Sequence, residues 1–127
     1  MIPRISISIF LVLLVIYFVP IVVYGLSSVL IGAKMPDGAS PVPFLVSLLI
    51  SKLGTAIAFV LIFYIARNSL GGHWLLYAFI WWIMFVLGEA SQTIGSNYTW
   101  REAISGIISE SIYLPISALI VNWLIKS

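Results

Sequence analysis

Residues Ile5–Ile31 read ISISIFLVLLVIYFVPIVVYGLSSVLI, with no Asp, Glu, Lys or Arg in the run. A helix rises about 1.5 Å per residue, so ~20 mostly apolar residues cross the ~30 Å hydrocarbon layer of a bilayer. This stretch is long enough to span. The apolar region of a cleavable signal peptide covers only about 7–15 residues, roughly half this length, so the segment reads as a retained transmembrane helix. Pro20 and Gly25 lie inside it.

Three further apolar runs follow. They cover 44–66, 74–94 and 103–125, and each is interrupted by one charge: Lys52, Glu89 and Glu110. The connectors hold the turn formers. The longest is Gly32–Pro43, which contains Pro36, Gly38, Pro41 and Pro43. Arg67–His73 and Gly95–Glu102 are shorter. Pro and Gly clusters between apolar runs mark chain turns. Thr99 and Glu102 have the spacing of a capping box for the last helix. A transmembrane barrel needs strands of about ten residues that alternate apolar and polar, and these runs are continuously apolar. The expected fold is an all-α integral membrane protein, with four transmembrane helices in an up-down antiparallel bundle and one domain over 1–127.

The bulk numbers agree. The chain has 127 residues, 62% hydrophobic and 8% charged, with a net charge of +2. A soluble domain averages about 45–50% apolar and ~25% charged, and disordered chains are poorer still in apolar residues. Both classes are excluded. No basic patch exists to suggest a nucleic-acid partner. There are no cysteines, which excludes disulfides, thiol catalysis, cysteine-ligated metals and palmitoylation.

An even number of spans places both termini on one side. Arg4, Arg67 and Lys126 fall on that side, with His73 nearby, and Lys34 and Arg101 on the other. The positive-inside rule then favours cytoplasmic termini in a plasma or inner membrane. The narrow margin leaves dual topology open. Tyr64, Trp74, Tyr77 and Trp123 fall near one interface, Tyr98 and Trp100 near the other, as amphipathic rings prefer. Asn97–Thr99 matches a glycosylation pattern, but in so short a loop we read it as chance.

The residues that carry chemistry are the three interrupting charges. From the expected helix ends, Lys52 lies about 12 Å deep, Glu89 about 8 Å and Glu110 about 10 Å, all in the non-cytoplasmic half. Intramembrane ionisable groups usually face the bundle interior or a wet cavity. A shared polar cluster of Lys52, Glu89 and Glu110 with Gln92, Ser51, Ser109 and Tyr113 is therefore expected. Ser47, Ser51, Gly54, Thr55 and Ala58 form a small-residue stripe on the second span, where helices can approach closely. Phe85, Gly88, Glu89, Gln92 and Ser96 share a face on the third. Glu102, Ser105, Gly106, Ser109, Glu110, Tyr113 and Ser117 share a broad face on the fourth. The polar faces of these three spans are expected to point at one another, with Tyr24, Ser27 and Ser28 of the first span at the same level. One Lys and two Glu sum to −1, so one carboxyl is expected to be protonated or near a cation, and the two to titrate as a unit.

Other readings stand beside this one. A Lys–Glu pair can fix helix register or dock another subunit, and Lys52 can snorkel outward if its helix begins later. Pro115 frees a carbonyl around Ser111, which could widen a cavity or only adjust packing. No catalytic triad, P-loop or dinucleotide fingerprint is present. The single His73 and the isolated Met84 make no metal or haem site. No cofactor is expected, and an enzyme is the least favoured class.

In length and helix count the chain is similar to small four-helix transporters of the multidrug-resistance type and to dual-topology fluoride channels. The first group depends on a Glu in its first helix, and Ile5–Ile31 has no charge. The second depends on a polar pore with a helix break, which is not located here. The resemblance is one of size and hydropathy. The expected function is transport of a cation, proton or small polar solute through the polar cluster. The alternative is an accessory, assembly or anchoring subunit without transport activity. Expected partners are the lipid bilayer, further copies of the chain or other membrane subunits.

Overall fold

Pro41 and Pro43 stand in the first turn of a helix and Thr99 immediately before another, and both features extend the helices beyond the apolar runs. The computed structural model describes residues 2–30, 41–70, 72–95 and 99–125, without the side chains at 27, 28, 41 and 44. The helices are α1 (Ile2–Leu30), α2 (Pro41–Ile65), the single turn α3 (Arg67–Leu70), α4 (Trp74–Gly95) and α5 (Trp100–Ile125). No strand occurs among the described residues. Four of these helices are long and apolar enough to cross a membrane. Lys34, Asp37, Gly71, Ser96, Asn97, Tyr98 and Lys126, and the side chains of Ser27 and Ser28, lie outside the description.

The helices start earlier than the apolar runs because their first turns tolerate what their interiors do not. A proline in the first turn lacks only an N–H that has no intrahelical partner anyway. This lets α2 begin at Pro41 and α1 just before Pro3. At α5 the Glu102 amide donates to Thr99 Oγ1 at 3.4 Å, which satisfies one of the free N–H groups of the first turn. The connector after α2 folds into the turn α3. There Arg67 donates to the Tyr64 carbonyl at 2.7 Å and stacks 4.2 Å from the Tyr64 ring.

α5 is the central element. It packs along both α1 and α4, while α1 packs against α2 and the direct contact of α2 with α5 is lighter. The tail of α1 lies beside the head of α5, where the Tyr24 hydroxyl donates to the Glu102 carbonyl at 3.0 Å. Tyr17 donates to the Leu45 carbonyl at 3.1 Å and ties α1 to the head of α2. At the opposite end the Gly72 amide donates to Asn122 Oδ1 at 3.2 Å.

Burial is uneven along the bundle. On α1 the buried positions are Ser8, Val12, Ile16 and Pro20, a four-residue spacing along one face. On α2 they are Ala56, Phe59, Val60 and Phe63, and on α4 Tyr77 and Ala78. The buried positions of α2 and α4 lie toward the α3 end, and those of α1 run from there past mid-helix to Pro20. Only α5 stays buried along its length, from Ala103 to Ile125. The core is thus closed at the α3 end and looser at the end where α4 passes to α5. At that looser end Leu45 is 38% exposed and Leu49 40%.

The closed half is built from rings. Phe59 and Phe63 of α2 meet Tyr77 of α4 with centroids 4.8 and 5.1 Å apart, and Phe59 lies 5.4 Å from Trp81. The Tyr77 hydroxyl donates to the Phe59 carbonyl. Large side chains thus join α2 to α4 across a gap. Pro115 lines a groove of about 320 Å³ together with Leu75, Ala78, Phe79, Trp82 and Ser111. Leu75 and Phe79 are exposed, so this space faces outward. Ser111 donates to the Ile107 carbonyl at 2.7 Å and accepts from Trp82 Nε1 at 3.0 Å.

Candidate functional site: a carboxyl pair between two helices

The buried face of α5 combines small and polar residues: Ala103, Ser105, Gly106, Ser109, Glu110, Tyr113 and Ser117. Positions three and four apart on a helix share a face, which puts Gly106, Glu110 and Tyr113 in one column. Ser105 turns its hydroxyl back to the Arg101 carbonyl at 2.9 Å. The Ser109 hydroxyl has no hydrogen-bond partner among the described residues.

Glu89 comes from α4 and lays its carboxyl against Gly106. A Cβ built on Gly106 would stand 2.6 Å from Glu89 Cδ and 2.8 Å from Oε2. The Glu89 carboxyl there lies close to the Glu110 carboxyl, one turn further along α5. Glu110 is only 6% exposed. Glu89 Oε2 and Glu110 Oε1 are both buried without a hydrogen-bond partner among the described residues.

Lys52 reaches toward the same place from α2. Its charge is close enough to interact with both Glu110 and Glu89, yet no carboxylate oxygen of a described residue lies within 4.0 Å of its ammonium. The ammonium instead sits 5.2 Å from the centre of the Tyr113 ring, an attractive placement over the negative face of an aromatic. Tyr113 is buried, and Glu110 and Glu89 are close enough for their charge to reach it. Below it, Phe85 lies 6.4 Å from Tyr113 and Trp81 5.7 Å from Phe85. Through Phe59 this row of rings continues to Tyr77 and Phe63. The polar group therefore rests on an aromatic floor and faces the looser end of the bundle.

The structure brings together Lys52, Glu89, Glu110 and Tyr113, and sets Ser109 beside them on α5. It does not bring Ser51 in. Ser51 is exposed with Ser47 and Gly54, and nothing stands within 4 Å of a Cβ at Gly54. Neighbouring positions project about 100° apart, and of this pair on α2 the half-buried one is Lys52. The Ser47, Ser51 and Gly54 part of the small-residue stripe thus faces outward, contrary to the expectation, while Thr55 and Ala58 are half-buried. Gln92 is exposed near the end of α4, and Gly88 is open, with nothing within 4 Å of a Cβ. The role of Gly106 as the seat of Glu89 is not apparent from sequence, although its place one turn before Glu110 is.

Two carboxyls close together within apolar surroundings can accept a proton or a small cation, because like charges at that distance resist joint ionisation. No group of three or more His, Cys, Asp or Glu side chains among the described residues is arranged to hold a metal ion. Searches of family models, curated proteins and solved structures give no match to this chain.

Proposed function

We propose that the chain is a small multi-pass membrane protein that moves a proton or small cation through the Glu89–Glu110 pair. In this reading the four long helices form an up-down antiparallel bundle across a cell membrane, with both termini cytoplasmic. The observation that carries it is the placing of two carboxyls from different helices on one buried face of α5, Glu89 against Gly106 and Glu110 one turn on. Unpaired intramembrane charge is costly, at roughly 2.5–3.5 kcal/mol per central residue on insertion scales. One proton on the pair, balanced by the Lys52 ammonium, leaves the cluster neutral. Loss of that proton leaves a site for a cation, or for Lys52 itself. A single four-helix bundle is thin for a pathway, so the working unit in this reading is a homo-oligomer. The test is flux in liposomes with E89Q and E110Q across a range of pH. Lost or altered flux in either variant supports the reading, and unchanged flux in both removes the pair from the mechanism.

A second reading is favoured by one observation. Ser47, Ser51 and Gly54 form an exposed strip of small residues on α2, a surface on which another helix can pack closely. An accessory or assembly subunit would use it to join a larger membrane complex. Purification in a mild detergent separates the two: a stable assembly of this chain alone counts against the accessory role.

A further inference from the structure

We infer that Gly106 is the positioning residue of the carboxyl pair: the absence of a side chain at 106 lets Glu89 of α4 lie on α5 beside Glu110. The inference rests on the reading of the pair as the working site, but its test does not use transport.

The geometry is specific. A Cβ at 106 would fall 2.6 Å from Glu89 Cδ and 2.8 Å from Oε2, inside the contact distance of any carbon and oxygen. Among the other glycines described, Gly25, Gly54, Gly72, Gly88 and Gly95 have nothing within 4 Å of an added Cβ. Gly106 alone of these is filled, and what fills it is the carboxyl of Glu89. The same face of α5 holds Ala103 and Ser105 at neighbouring buried positions, so small side chains are accepted around it. The position therefore accommodates a functional group rather than helix backbone. The group that must yield is also the mobile end of a flexible side chain. An alanine at 106 is accommodated by swinging Glu89 away, with the helices left in place. The change then separates the two carboxyls without removing either.

The experiment uses the full chain in detergent or lipid. Infrared spectra locate the carbonyl stretch of the protonated carboxyl, assigned by its loss in E110Q, in the native chain and in G106A. The expected result is a folded G106A with near-native helix content, in which this band shifts toward the position it takes in E89Q, where Glu110 has no carboxyl neighbour. S117A, a change on the buried face of α5 about two turns beyond Glu110, is expected to leave the band in place. An unshifted band in folded G106A overturns the inference. Should G106A fail to fold, the same substitution is made together with E89A, which removes the obstructed group. Recovery of folding in that background supports the inference, and continued failure assigns Gly106 to helix packing unrelated to Glu89 and overturns it. Flux that is insensitive to E89Q and E110Q would refute the transport reading and leave this result standing as a statement about how the pair is built.

Discussion

Lys52 holds its ammonium 5.2 Å from the centre of the Tyr113 ring, out of ion-pairing range of any described carboxylate. The cation is thus held by an aromatic face while the two carboxyls lie close to each other. A buried charge usually takes a partner of opposite sign, and here the ring occupies that place.

The ring should matter more than its hydroxyl. Y113F keeps the face under Lys52 and is expected to stay within about 1.5 kcal/mol of the native chain. Y113A removes a fully buried ring and is expected to cost about 3–5 kcal/mol. A double-mutant cycle of K52M with Y113L, read by unfolding in detergent, should give a coupling of about 0.5–2 kcal/mol. A coupling near zero would mean that Lys52 draws nothing from the ring.

Much of this was legible in the sequence, and what was missed has a common cause. The length of each apolar run fixes where helices can lie, and one charge per run marks the depth of the cluster. Glu89 and Glu110 are at similar depth by simple counting, and the structure puts them close together. Rotation of each helix about its axis is different. α2 is apolar on nearly every side, so neither Ser51 nor Lys52 is marked as the inner position by pattern. Packing decides, and it turns Phe59, Phe63 and Lys52 inward and Ser51 outward. Gly106 illustrates the same limit: periodicity places it under Glu110, but only the approach of α4 shows that its missing side chain is filled.

Two buried hydroxyls should prove dispensable while their size does not. Ser8 of α1 and Ser117 of α5 are both fully buried, and neither Oγ has a hydrogen-bond partner among the described residues. Both lie on closely packed faces of α1 and α5. Burying a hydroxyl without a partner is unfavourable, so S8A and S117A are expected to be neutral or to stabilise by up to ~1 kcal/mol. S8L and S117L overfill the contact and are expected to cost about 1–3 kcal/mol. Midpoints of thermal unfolding in detergent order the four variants. Destabilised alanine variants would show that the hydroxyls are in fact bonded.

The turn between α3 and α4 makes a backbone prediction. Gly72 has φ +82°, in the left-handed region that costs an L-residue roughly 1–2 kcal/mol. Nothing stands within 4 Å of an added Cβ there, so G72A should show that backbone cost alone. N122A removes the acceptor of the Gly72 amide, but the group is exposed and water replaces it, so the loss should be smaller, at most about 1 kcal/mol. The two stabilities are compared by unfolding in detergent, and an N122A loss larger than that of G72A would place the weight of this turn on the side-chain bond.

The uneven closure of the bundle can be read with single cysteines, because the chain has none of its own. Asn68 is exposed beside α3, and Gln92 is exposed at the looser end. With cytoplasmic termini, an impermeant maleimide added outside cells should label Q92C and S96C and leave N68C silent until the membrane is opened. S109C should stay silent from both sides, since Ser109 is only 1% exposed and the thiolate that reacts needs water. Labelling of N68C and S96C from the same side would point to dual topology. Silence of Q92C beside a labelled S96C would mean that lipid or another chain covers the end of the bundle nearest Lys52, Glu89 and Glu110.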